Sequence, residues 1–125
     1  MKNKVLIIED NEQNMYLFTY LLEKNGYETL QANDGLTGID LAKQQIPELI
    51  LLDIQLPDMN GYQIAQQLRS NLKTNKIPII AVTSYAMVGD KERTIEAGCT
   101  GYIEKPINPD TFMSEIERFL PNKKD

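Results

Sequence analysis

Three carboxylates, a hydroxyl and an ammonium stand at the ends of short apolar runs. Glu9 and Asp10 follow Val5–Ile8, Asp53 closes Leu49–Asp53, Thr83 follows Pro78–Val82 and Lys105 follows Gly101–Glu104. If these runs are parallel strands, their carboxyl ends share one rim, which is where open α/β sheets bind ligands. Like charges brought within a few ångströms disfavour joint ionisation unless a cation intervenes. A divalent cation together with Lys105 would balance Glu9, Asp10 and Asp53. The chain has no His and a single Cys, so the ligands on offer are hard oxygens, which favour Mg²⁺, with Mn²⁺ as a substitute. A phosphoryl group is the expected further ligand, with Lys105 neutralising its oxygens and Thr83 adding a hydrogen bond. Asp53 is the candidate nucleophile, because a carboxylate can attack phosphorus and form an acyl phosphate. The loop after it, Ile54 to Gly61, is rich in turn residues.

The elements that must position these groups alternate along the chain. Tyr27–Ala32 supplies a fifth strand-like run. The runs at Val5, Leu49 and Pro78 are nearly continuous in apolar residues, as expected of strands covered on both faces; those at Tyr27 and Gly101 are more mixed. Between them lie helical patterns over Asn11–Asn25, Asp34–Gln45, Asn60–Leu72 and Ala86–Ala97. The first carries Asn14, Leu17, Phe18, Leu21 and Leu22 on one face, with Met15 at the edge and Tyr16 and Tyr20 opposite. The second is weakened by Gly35 and Gly38, the third spaces Ile64, Leu68 and Leu72 by four, and the fourth is the least apolar and holds Gly89. In the last helix Asn108 reads as the N-cap and Pro109 as the first helical residue, before Phe112, Ile116, Phe119 and Leu120. Strict βα alternation implies one doubly wound α/β domain, a five-stranded parallel sheet with helices on both faces.

The composition excludes several functions. The chain has 125 residues, 42% hydrophobic and 25% charged, which is ordinary for one globular domain. Its net charge of −5 opposes a nucleic-acid backbone, so direct nucleic-acid binding is not expected. The absence of His removes histidine triads and histidine-ligated zinc or haem. The lone Cys99 fits a reducing compartment and a small buried residue. No apolar run reaches membrane-spanning length, and the basic start ends at Glu9 and Asp10 before any signal-peptide pattern develops. The expectation is a cytoplasmic protein with no membrane association.

Taken together, Glu9-Asp10, Asp53 with Pro57 and Gly61, Thr83, and Lys105-Pro106 resemble the receiver domain of bacterial two-component response regulators. The resemblance covers essentially the whole chain. The stretches IIEDNEQNM, LILLDIQLPDMNG and YIEKPI are most similar to stand-alone receivers of the cell-cycle phosphorelay type and to receivers fused to hybrid kinases. The resemblance implies the flavodoxin-like strand order 2-1-3-4-5. It implies a receiver over residues 1–121, a polar tail over 122–125 and no output domain. It implies that Asp53 accepts a phosphoryl group from a histidine kinase or a histidine phosphotransfer protein. Asp10, Asp53 and the backbone carbonyl of Gln55 would bind Mg²⁺, with Glu9 helping directly or through water. Thr83 and Lys105 would contact the phosphoryl oxygens, and Tyr102 would turn inward as Thr83 moves. The Lys105-Pro106 bond is expected to be cis. Gln55 and Tyr85 occupy positions that tune phosphoryl lifetime, and a Tyr at 85 is expected to shield the group and prolong it. Met15, Tyr16 and Pro106 are candidate partner contacts. The implied readout is a changed surface on the fourth helix, fifth strand and fifth helix, which binds or relays to a downstream effector. The molecule would be a monomer or a phosphorylation-dependent dimer, and a switch instead of an enzyme.

Duller and competing readings exist for each feature. Glu9 and Asp10 could cap the first helix, Asp53 the third and Thr83-Ser84 the fourth, and Lys105 could be a solvated surface lysine. Tyr102 could be only a half-buried strand aromatic. A haloacid-dehalogenase-type phosphatase would want a second acid where Gln55 stands. A flavin-binding module would want phosphate-binding loops in place of clustered acids. A receiver-like adaptor that is never phosphorylated would not need the complete acidic set.

Overall fold

A computed structural model describes residues 3–83 and 90–120. Among the described residues ten elements alternate: β1 Lys4–Ile8, α1 Glu12–Lys24, β2 Glu28–Ala32, α2 Gly35–Gln45, β3 Leu49–Asp53, α3 Gly61–Arg69, β4 Ile79–Thr83, α4 Asp90–Glu96, β5 Gly101–Glu104 and α5 Pro109–Glu117. Every strand pair is parallel, in the order β2-β1-β3-β4-β5. The fold is therefore the flavodoxin-like arrangement expected. Ser84, Tyr85, Gly89, the first part of the Ala86–Ala97 pattern and the 122–125 tail lie outside the described residues.

Side chains alternate across a strand, and the two faces of the sheet collect separate cores. Leu6, Ile8, Ile50, Leu52, Ile79 and Ala81 meet Ile39 and Ala42 of α2 and Ile64, Ala65 and Leu68 of α3. Val5, Ile7, Leu49, Leu51, Ile80, Val82 and Ile103 meet Phe18, Leu21 and Leu22 of α1 and Phe112 and Ile116 of α5. Phe18 and Phe112 stack across this second core, 5.5 Å between centroids. The three central strands are continuous apolar runs because both of their faces are covered, whereas the outer strands β2 and β5 carry exposed positions.

The two glycines that weaken α2 as a sequence pattern are what allow it to pack. A Cβ on Gly38 would sit 2.5 Å from Ile8 Cδ1, so the helix can lie this close to β1 only without one. Its C-terminus is less comfortable. Ile46 caps α2 with φ 46° and ψ 67°, a left-handed conformation that a β-branched residue rarely adopts, directly before Pro47.

The expected third helix is corrected at its end. It stops at Arg69, three residues before Leu72, and Leu72 is 91% exposed instead of continuing the Ile64–Leu68 face. The reason is a set of polar bonds that folds the following chain into turns. The Thr74 hydroxyl donates to the Leu68 carbonyl at 2.6 Å, and the Arg69 guanidinium donates to the carbonyls of Asn75, Ile77 and Gly98. A cation holding several backbone acceptors outweighs the continuation of one helical repeat.

Phe112→Ala should lower the unfolding free energy by about 3–5 kcal/mol, the range for emptying an aromatic core site. Ile46→Gly should raise it by about 1 kcal/mol, because glycine adopts the left-handed cap without a Cβ penalty. Urea denaturation of both variants measures each change.

Candidate functional site

The carboxyl ends of the strands meet because backbone pairing continues one residue past the regular ladder. Glu9 N–H donates to the Ala32 carbonyl at 3.0 Å, Ile54 N–H to Val82 at 3.2 Å and Lys105 N–H to Thr83 at 2.8 Å. These bonds tie β1 to β2, β3 to β4 and β5 to β4 at the rim, and the pairing of Ile8 with Leu52 sets the end of β1 beside that of β3. Asp53 lies level with Val82 and Thr83 level with Glu104.

The side chains then converge. Ligand oxygens of Glu9, Asp10 and Asp53 lie within 4.8 Å of one another. Glu9 is 1% exposed and Asp53 4%, while Asp10 stands at the open edge. Lys105 Nζ sits 3.6 Å from Glu9 Oε1 and 3.6 Å from Asp53 Oδ1. It is mostly buried between them and is not a solvated surface lysine. Gln55 N–H donates to Asp53 Oδ1 at 3.1 Å, and Asn11 N–H donates to Glu9 Oε2 at 3.2 Å. The duller capping readings of Glu9, Asp10 and Asp53 fall away here. The side chain of Asn11 caps α1 by accepting from Asn14 N–H, and Asn60 caps α3 in a reciprocal box with Gln63.

The charges do not balance. An ammonium 3.6 Å from a carboxylate is worth about 4 kcal/mol at an effective dielectric near 20, comparable with the several kcal/mol that each buried ion costs in lost hydration. One lysine shared by two buried carboxylates therefore leaves the second one uncompensated. Glu9 carries the consequence. Its carboxyl is pushed up to about 7 by burial and by the Asp53 charge, against the opposing pull of Lys105 and the Asn11 N–H. Burial also raises Asp53, against the Gln55 N–H and Lys105. Glu9 Oε1 is buried with no hydrogen-bond partner among the described residues; the Lys105 ammonium stands beyond bonding distance. An orphaned carboxylate oxygen facing two other acids is what a hard divalent cation would satisfy, so these residues fit Mg²⁺.

The remaining expected residues fall in three places. Thr83 is buried at the end of β4, beside the site, and Tyr102 is half-buried on β5 opposite Ala81. The Lys105-Pro106 bond is cis, and Pro106 is exposed. Tyr16 is 72% exposed and stacks on Tyr20, whereas Met15 is only 8% exposed and packs with Phe18 in the core. Met15 is thus corrected from an edge residue to a core residue, because it joins the cluster that Phe18, Phe112 and Ile116 form. Tyr85 lies outside the described residues. Sequence reasoning missed Asp58, whose carboxylate accepts from the N–H groups of Gly35 and Leu36. No spacing signal joins a turn residue to a helix start 23 positions earlier.

With this geometry, the similarity to known proteins is specific. The response regulator receiver domain family matches residues 5–117. The polar-differentiation response regulator DivK of Brucella ovis is 46% identical over 120 residues, 96% of this chain and 98% of that protein. Among solved structures, the chemotaxis protein CheY4 of Vibrio cholerae superposes with a TM-score of 0.91 at 27% identity, covering 96% of this chain and 100% of that one. The receiver domain of the sensor histidine kinase PA1611 of Pseudomonas aeruginosa, solved with a magnesium ion coordinated in its active-site cleft, gives 0.88 at 29% identity over 96% of this chain and 98% of that one. The chain belongs to the response regulator receiver domain family of two-component signalling. Among the described residues no helix is long and apolar enough to cross a membrane.

The raised Glu9 carboxyl makes a prediction about stability. The folded state holds that proton more tightly than the unfolded chain. The resulting stabilisation is complete below the ordinary glutamate range and is lost as pH rises through about 7. Without divalent cations, stability should fall by roughly 3 kcal/mol from this group between pH 4 and 8. Glu9→Gln, neutral throughout, should flatten that part of the profile in denaturant titrations across the pH range.

Proposed function

We propose that this chain is a cytoplasmic, stand-alone response regulator that accepts a phosphoryl group on Asp53 from a phosphohistidine of a kinase or phosphotransfer protein. The observation that carries the reading is the pair of buried acids, Glu9 and Asp53, sharing one ammonium 3.6 Å from each. Such a site is under-neutralised as it stands. The match over 98% of the DivK protein supports a regulator of that kind.

In the reaction, an Asp53 carboxylate oxygen forms a bond to phosphorus. The bond from phosphorus to the donor imidazole nitrogen breaks, and its electron pair stays with that nitrogen. Gln55 N–H holds Asp53 Oδ1 and so orients the carboxylate for the attack. Lys105 stabilises the negative charge that spreads over the phosphoryl oxygens, and Thr83 supplies a hydroxyl donor beside them. Mg²⁺, held by Asp10, Asp53 and the Gln55 carbonyl with Glu9 directly or through water, would offset the charge of both carboxylates and phosphoryl group. The magnesium ion in the PA1611 receiver supports that assignment.

The new charge at the rim is read by Thr83 and Tyr102, and the surface of α4, β5 and α5 carries the signal to a protein effector. Tyr16 on the exposed face of α1, and Pro106, are the proposed contacts for the phosphoryl donor. The activity is that of a switch: one phosphoryl group is accepted and later lost to water.

Incubation with acetyl phosphate and Mg²⁺, followed by intact-mass spectrometry, tests the reading. One added phosphoryl group is expected, absent from Asp53→Asn and absent when Mg²⁺ is chelated. No adduct with acetyl phosphate or with a phosphohistidine donor would overturn it in favour of an adaptor that works without phosphorylation.

A further inference from the structure

The loop between β3 and α3 carries Gln55, and it is closed by two contacts at its base. Gly61 N–H donates to the Ile54 carbonyl at 2.7 Å, and Gln55 and Asn60 form an isolated bridge. The far side of the loop is fastened elsewhere. Asp58 Oδ1 accepts from Gly35 N–H at 2.8 Å and Asp58 Oδ2 from Leu36 N–H at 3.1 Å. Both carboxylate oxygens are thus spent on the first turn of α2, where unpaired N–H groups and the helix dipole favour an anion. These two bonds hold the Asp58 carboxyl below the ordinary aspartate range.

Helix α2 does not need this for capping alone, because Asp34 already caps it by accepting from Thr37 N–H at 2.8 Å. What Asp58 adds is a link between two elements. From α2 it fixes the loop, the loop fixes Gln55, and Gln55 N–H fixes Asp53 Oδ1 at 3.1 Å. Helix α2 is itself a firm anchor, since it lies against β1 at Gly38 with no room for a Cβ.

We propose that Asp58 is a positioning residue for the acidic site: a two-point latch from α2 that orients the Asp53 carboxylate and the Gln55 backbone. It touches no reacting atom. The inference deepens the phosphoryl-acceptor reading and rests on it for its functional consequence.

The test compares Asp58→Ala with Asp34→Ala. Each removes a carboxylate from the start of the same helix, but only the first releases the loop. Mg²⁺ affinity by isothermal titration calorimetry, and exchange of the Gln55 amide hydrogen by NMR, are read in each variant and in wild type. Asp58→Ala should weaken Mg²⁺ by about threefold to tenfold, at or below the lower end of what residues that orient metal ligands contribute, and should speed exchange at Gln55. Asp34→Ala should change affinity by less than about twofold and leave Gln55 protected, because it cuts no link to the loop. Asp58→Asn, which keeps one acceptor oxygen, should fall between wild type and Asp58→Ala. Equal effects of the Asp58→Ala and Asp34→Ala variants would reduce Asp58 to a helix cap and overturn the latch, and so would no effect of either. If wild type itself binds no Mg²⁺, the phosphoryl-acceptor reading fails, and Gln55 exchange alone then decides whether the latch exists.

Discussion

The site depends on a shortage of positive charge. Glu9 and Asp53 are both removed from water, both within 3.6 Å of the same ammonium, and Asp10 adds a third acid at the rim. One lysine cannot neutralise them, so the carboxyl of Glu9 holds its proton up to about 7. The native fold tolerates this because the two large apolar cores on either face of the sheet outweigh a local cost of a few kcal/mol. The shortage also makes the site responsive to an added cation, where a balanced cluster would gain little from one.

The parallel sheet is the device that assembles this cluster. Parallel strands start at one edge and end at the other, so residues from four separate stretches of chain reach one rim without any of them leaving regular structure. Backbone bonds just past the strand ends, from Glu9, Ile54 and Lys105, extend that order into the loops. The loop after Asp53 is held more tightly than its turn-rich composition suggests. It is closed at its base through Gly61 and bound to α2 through Asp58. Support of this kind keeps the Asp53 carboxylate oriented.

Different parts of the molecule were legible in the chain to different degrees. The strands and the enclosure of the central ones were readable, because continuous apolar runs at Leu49 and Ile79 mean burial on both sides; their lateral order came only with the family resemblance. Glu9, Asp10, Asp53, Thr83 and Lys105 were readable as a group, because each stands at the end of a strand-like run. Leu72 was misread as the next core position of α3, since periodicity carries no information about the Thr74 hydroxyl and the Arg69 guanidinium that turn the chain away. Met15 was misread as an edge residue, since its burial comes from sharing a cluster with Phe112 and Ile116 of the distant α5, which helical spacing does not show.

The chain by itself determined the elements, their parallel arrangement and the types of group at the rim. Those follow from local patterns of hydropathy and from chemistry that particular side chains alone can perform. Tertiary structure decided the distances: which acids share Lys105, which oxygen of Glu9 is left unpartnered, and which helix Asp58 grips. These are relations between residues tens of positions apart. They depend on how elements pack in three dimensions, and charge interactions that change over an ångström cannot be read from spacing along the chain.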